Sequence, residues 1–376
     1  MRELDAERRA VRDMCREAAA ELRTRGAAVD ANPLELADHL DVPVLRMARL
    51  ASTPKAYRGS STAAGVTPSE GCLSRAVASL ELSRGDAGLV VGNTGPALAG
   101  LVVEALGSDA QREVFYRALE DGRTWSFCAV SEPRHGSDAT ALETGLLPDP
   151  DGGGHRLHGS KRYITNGSRG AVGVVLARTG PSPLSIRAVL VRCPAPGFTA
   201  RPLDMVGLRA AEFSELSLDG MRVAPEMLLG GHLRASRRGV WGLSRAFNQT
   251  RLQVAAMALG VAFAAYDYAR EHRPGHEGHE LLGERLDAAR SLLYDAAAEA
   301  DHAPDALRAP SMAKLHATDL AVRTVRRVAD VLGPGSLLTH PLLEKWSRDV
   351  CAFEFMDGTS NILRLHIAAT AAPAGV

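Results

Sequence analysis

The sequence predicts an α+β protein built of several packed regions: helices, then a β-region, then helices again. Three observations predict it. At 376 residues the chain is too long for one small core. Hydrophobic residues are 45% and charged residues 23%, the composition of a globular protein. The spacing of apolar residues also changes character twice, near residues 125 and 235.

The first region, 1–124, is rich in Ala, Leu, Arg and Glu. Its opening stretch, MRELDAERRAVRDMCREAAAELR, carries acids and lacks an apolar run, so it reads as an amphipathic helix and not a targeting peptide. SRAVASLELSR and GPALAGLVVEALG repeat apolar residues at helical spacing. Ahead of them, ASTPKAYRGSSTAAGVTPSEG (51–71) is dense in Gly, Pro, Ser and Thr and is expected to be irregular.

In the second region, 125–235, AVGVVLAR, RAVLVRC and ELSLDGMRV are β-branched or alternating runs separated by turns such as PDPDGGG, which predicts a compact β-domain. The third region, 236–376, returns to helix. Leu252, Ala255, Ala256 and Leu259 form one apolar stripe, and Ala321, Val325, Val328 and Leu332 another. No apolar run is expected to approach the length of a membrane span.

Charge narrows the function. Lys plus Arg and Asp plus Glu are 44 each, so net charge draws the molecule neither to nucleic acid nor to an anionic membrane, and a small-molecule partner is expected. Five scattered cysteines without a CxxC pair indicate neither a disulfide framework nor a zinc site, and fit a reducing cytoplasm. Only four lysines occur, Lys55, Lys161, Lys314 and Lys345. GxxxxGK[ST], a well-placed GxGxxG, HExxH and GxSxG are all missing, which disfavours P-loop, Rossmann, zinc-protease and serine-hydrolase readings. In FEFMDGTSNIL (353–363) one carboxylate, Asp357, precedes a Gly-Thr pair, as a turn residue or as a base.

Five stretches in order resemble the acyl-CoA dehydrogenase family of flavoproteins: AVSEPRHGSD (129–138), HGSKRYITNGS (158–168), GLRAAEFSELSLDGMRVAPEMLLG (207–230), FNQTRLQVAAMALGVAFAAYDYA (247–269) and the span from SMAKLHA to MDGTSNI (311–362). TPKAYRG (53–59) is similar to the family's PxxYGG. The resemblance implies an N-terminal helical domain, a central β-barrel-like domain and a C-terminal four-helix-bundle domain. It implies FAD as cofactor, with Val130, Ser131, Ser137, Tyr163, Thr165, Gly333, Thr359 and Asn361 as its contacts. Asp357 falls at the family's catalytic glutamate, one methylene shorter, and is the candidate base for the α-proton of an acyl thioester. Thr250 stands where some relatives carry an alternative glutamate base. Ser137, Asn248, Arg251 and Gly358 would line the thioester and pantetheine channel, though Arg251 also suits a structural salt bridge. The backbone N–H of residue 357 would hold the thioester oxygen.

The implied substrate is an acyl-CoA or acyl carrier protein thioester, the implied electron acceptor an electron-transfer flavoprotein, and the implied assembly a homodimer or homotetramer. The chain departs from the family where HRPGHEGHELLGE (272–284) replaces RxxFG and a Gln, where GPGS (333–336) replaces GGxG, where Asp330 replaces a Gln and where Tyr163 replaces Trp. Arg270 and Arg273 are both candidates for the missing grip on the adenine side. An oxidase of the nitroalkane-oxidase type and a non-catalytic scaffold homologue are the competing readings.

Overall fold

The computed structural model describes residues 3–58 and 70–371. The PxxYGG-like stretch therefore lies partly outside the described residues, at Gly59, and so does most of the loop expected over 51–71. Helices α1 (Ala6–Glu17), α2 (Ala19–Ala31), α3 (Leu36–His39), α4 (Pro43–Ala51), α5 (Cys72–Gly85), α6 (Ala87–Gly92), α7 (Ala97–Leu106) and α8 (Asp109–Arg117) come first. The single amphipathic helix expected at the start is two, parted at Ala18, whose N–H bonds back to Met14 and Arg16. Asp5 caps α1, and Ser108 and Gln111 form a reciprocal capping box on α8.

Seven strands follow: β1 (Ser126–Ala129), β2 (Gly145–Pro148), β3 (His155–Ile164), β4 (Val172–Arg178), β5 (Ile186–Arg192), β6 (Phe198–Pro202) and β7 (Ser214–Val223). They run in the order β1-β4-β2-β3-β7-β6, with β5 on β4. One residue pair, Gly145 with Arg178, joins the two halves through β2 and β4. The halves curl over a shared interior of Phe127, Leu157, Val175, Val189, Leu216 and Met221, which makes the domain barrel-like. β4 is an unbroken apolar run because both its faces are covered. Val172, Val174 and Leu176 pack with Val103, Leu106 and Phe115 from the helical side. β7 keeps one face outward and alternates.

The chain then forms α9 (Val240–His272), α10 (His279–His302), α11 (Arg308–Leu332), α12 (Ser336–Thr339), α13 (Pro341–Ala352) and α14 (Ser360–Ala371). Both predicted stripes are buried, in α9 and α11. α5 shares this core through Ala76, Val77 and Leu80, so the first and third regions have one interior. One expectation needs correction: the stretch Ala235–His272 is long and apolar enough to cross a membrane. Its most apolar window is 78% buried inside the protein, because α9 is the central rod that the other helices cover.

A buried ion triad fastens the regions together. Lys345 of α13 contacts Asp86 at 2.7 Å and Asp349 at 2.6 Å. Asp86 caps α6 through the Leu89 N–H, and Asp349 accepts the Leu208 N–H ahead of β7 at 2.7 Å.

Candidate active site

Between α13 and α14 the chain reverses within a few residues. Asp357 has φ 51° and Gly358 φ 105°, both on the left-handed side. Aspartate tolerates that region better than most residues, and glycine enters it freely. Glu354 closes the turn by accepting the Ser360 N–H at 2.9 Å and the Ser360 hydroxyl, so its carboxylate is occupied at the head of α14.

Two cations from neighbouring helices hold this turn by its carbonyls. Lys314 of α11, fully buried, donates to Gly358 O at 2.6 Å and Glu354 O at 3.1 Å. Arg251 of α9, 4% exposed, donates through Nε to Asp357 O at 3.0 Å and through Nη1 to Asn248 Oδ1 at 3.0 Å. Asn248 is also buried, its amide nitrogen 3.4 Å from Pro304 O. Asn248 thus orients Arg251, and Arg251 braces the backbone of residue 357.

The Thr250 hydroxyl, which donates to Phe247 O at 3.4 Å, lies beside the Asp357 carboxylate. Burial raises the Asp357 pKa above the ordinary carboxylate value, while Thr250 and the charges of Arg251 and Lys314 oppose the rise. A carboxylate tuned upward yet kept ionisable by nearby cations suits a general base. Lys314 is itself lowered to about 8 by burial, against the pull of Asp357 and Glu354. Cys128 of β1 lies within electrostatic reach of Asp357; burial pushes its thiol up to about 12 and the carboxylate adds to the effect.

A second buried lysine supports the end of β1. Lys161 donates to Val130 O at 3.0 Å and Glu132 Oε1 at 2.9 Å. Glu132 also accepts the Thr144 N–H at 2.9 Å and the Glu143 N–H at 2.6 Å. Burial lowers Lys161 to about 8 despite Glu132. Beside it Arg162 N–H bonds Ser131 O at 2.9 Å, and Tyr163, at φ 62°, turns an aromatic ring outward that is 55% exposed. An exposed ring on a strained backbone is costly unless something covers it. The hydroxyls of Ser131, Ser137 and Thr165 are unspent among the described residues. Unspent hydroxyls with a half-exposed aromatic ring, whose face the Arg162 guanidinium meets at 5.4 Å, fit a flat polar heterocycle such as a flavin.

The structure brings Asp357, Gly358, Asn248 and Arg251 together, and sets Val130 and Ser131 just past the end of β1, held by Lys161 and Arg162. Thr359 follows the base, its hydroxyl 3.5 Å from the Ile362 N–H. Asn361 is exposed and accepts from Arg364 at 3.1 Å, and Ser137 is exposed. Gly333 stands apart: it ends α11 at φ 93°, ~28 Å along the helix from Lys314. Sequence reasoning singled out neither Lys314 nor Lys161. Their signal was rarity: in a chain whose positive charge is almost all arginine, three of the four lysines are buried.

Helical ends around a barrel-like sheet, with a braced carboxylate where they meet, define the class. The model of the acyl-CoA dehydrogenase middle domain matches residues 128–221, and that of the acyl-CoA dehydrogenase C-terminal domain matches 237–372. The mitochondrial short-chain specific acyl-CoA dehydrogenase of Sus scrofa is 31% identical over 79% of this chain and 75% of its own. The cyclohexane-1-carbonyl-CoA dehydrogenase of Geobacter metallireducens is 30% identical over 71% of this chain and 75% of its own. The chain belongs to the acyl-CoA dehydrogenase family, oxidoreductases acting on CH–CH groups. Among solved structures, a glutaryl-coenzyme A dehydrogenase with glutaryl-CoA superposes at TM-score 0.85 (22% identity, 98% of this chain, 95% of that one). The prolyl acyl carrier protein oxidase AnaB superposes at 0.83 (23% identity, 98% and 99%). At these identities the likeness is one of fold.

Proposed function

We propose that this chain catalyses FAD-dependent α,β-dehydrogenation of an acyl thioester, carried on CoA or on a carrier protein, with Asp357 as the base. The observation that carries the reading is the Asp357 turn: its carbonyls are braced by Arg251 and Lys314, whose charges also favour the ionised carboxylate. The other nearby acid, Glu354, is tied to Ser360. FAD, when bound, supplies the acceptor for the β-hydride. Ser131, Tyr163 and Thr165 would hold its ring, with Val130 presented by the Lys161 brace.

The chain's own work is proton transfer and orientation. Asp357 takes the α-proton on a carboxylate oxygen. Lys314 and Arg251 stabilise the ionised form before reaction, with Thr250 beside it. The backbone N–H of residue 357, in the residue whose carbonyl Arg251 holds, would meet the thioester oxygen, where negative charge builds as the proton leaves. An electron-transfer flavoprotein as electron acceptor and a homodimer or homotetramer as assembly complete the reading.

The test is the visible spectrum of the purified protein with FAD, titrated anaerobically with butyryl-CoA and other acyl thioesters. Bleaching supports the reading. Asp357→Asn should keep the yellow colour and slow bleaching by about 10²–10⁴-fold. A protein that binds no FAD ends the catalytic reading. An oxidase on the same fold is the second reading, favoured by the carrier-protein oxidase among the structural neighbours. Rapid reoxidation by oxygen with product bound would decide for it.

A further inference from the structure

The segment joining the sheet to α9 reads HLRASRRGVWGLSR (232–245), and it is basic. Arg234 and Arg237 are exposed. The Arg237 guanidinium lies over the Trp241 ring at 4.9 Å from its centre, and Arg245 over the same ring at 5.6 Å. Arg238 is folded back onto Leu233 O at 2.8 Å and Gly231 O at 3.3 Å. Of these four arginines only Arg245 reaches a carboxylate among the described residues, Asp305 at 3.4 Å. Arg187 of β5 lies close enough for the charge of Arg238 to reinforce the lowering that burial imposes on it. The positive end of α9 begins at Val240 and adds to the same field.

This concentration is local, since the whole chain balances 44 positive against 44 negative side chains. Its position is what gives it meaning. Trp241 lies on the helix that carries Asn248, Thr250 and Arg251, ~15 Å along the axis from Arg251. A basic surface one pantetheine arm from the base can hold whatever carries the thioester. A pocket for a single nucleotide would enclose its arginines, whereas Arg234 and Arg237 stand open on the surface, and Arg237 lies over Trp241. That spread suits the acidic side chains of a folded partner.

We propose that the surface formed by Arg234, Arg237, Arg238 and Arg245 around Trp241 docks an acidic carrier protein, which delivers its pantetheine-linked acyl thioester to Asp357. The proposal rests on the thioester reading above and narrows its substrate to the protein-bound form. The arginines steer and hold the carrier; the braced turn handles its cargo.

The experiment uses the full chain loaded with FAD and three probes: an acidic phosphopantetheinyl carrier protein bearing a butyryl group, butyryl-CoA and S-butyryl-pantetheine. Carrier binding is read by fluorescence anisotropy at low and high salt, and flavin reduction is read anaerobically. The charge reversal Arg234→Glu/Arg237→Glu should weaken carrier binding by about tenfold or more and remove most of its salt dependence. Reduction by saturating S-butyryl-pantetheine should be unchanged, which also shows that the variant is folded. Carrier binding that is absent at low salt, or indifferent to the reversal, overturns the docking proposal even if the free thioester bleaches the flavin. An equal loss of butyryl-CoA affinity also overturns it, by making the patch a phosphate site. If the carrier binds and the reversal abolishes binding, yet no thioester reduces the flavin, docking stands and the dehydrogenation reading falls.

Discussion

Replacing Lys314 by Met tests the electrostatics of the turn most directly. The side chain is fully buried and donates to the carbonyls on either side of Asp357, those of Glu354 and Gly358. Its charge favours the ionised carboxylate, so losing it must move the Asp357 pKa further upward. An opposite charge at close range shifts a carboxylate by roughly 1–3 units. Because Lys314 bonds the flanking carbonyls and Arg251 shares its task, the low end applies: about 1 unit, or ~1.4 kcal/mol. The base must be ionised to act, so activity is lost as pH falls through its pKa. The acid limb of the kcat/KM profile for an acyl thioester should therefore move about 1 unit toward higher pH, with much less loss on the alkaline side. The two carbonyls left without a donor cost ~1–3 kcal/mol each in stability, partly offset by no longer burying an ammonium. Thermal unfolding separates that cost from the kinetic effect. An acid limb that stays in place, or moves down, in a folded Lys314→Met protein would refute the role given to the ammonium.

Lys161→Met leaves the buried Glu132 without its counter-charge, which should cost about 3–5 kcal/mol in denaturant unfolding and reduce the FAD retained through a dialysis, since Val130 loses its brace. Lys345→Met leaves Asp86 and Asp349 facing each other; the same magnitude, about 3–5 kcal/mol, is expected, with a sloping, less cooperative transition because the triad joins three regions. Adding Asp349→Leu to Lys345→Met should recover part of that loss.

The order of helices, sheet and helices was legible because it is written in local periodicity. AVGVVLAR announces a strand covered on both faces, and ELSLDGMRV one covered on a single face. Around Asp357 the residues left a turn and a base both open, since aspartate and glycine tolerate positive φ, and the family resemblance pointed to the base. Local pattern could not show that α5 joins the C-terminal core, nor that α9, apolar enough for a membrane, is wrapped by protein. Both depend on which surfaces meet, and the apolar spacing of one segment is silent about its partner.

The same limit explains the site. Sequence alone put one carboxylate at residue 357 and named Arg251 and Asn248 as lining residues. Only the tertiary structure showed Asn248 turned onto Arg251, Arg251 onto the carbonyl of 357, and Lys314 reaching the same turn from another helix. A buried donor is committed by the acceptors folding sets within hydrogen-bond reach, and those of Lys314 lie 40 and 44 residues away in the chain. A compact ammonium with three donors can serve two acceptors at once. Lys314 bonds two carbonyls, Lys161 a carbonyl and a carboxylate, and Lys345 two carboxylates, and these acceptors become visible only once the chain is folded.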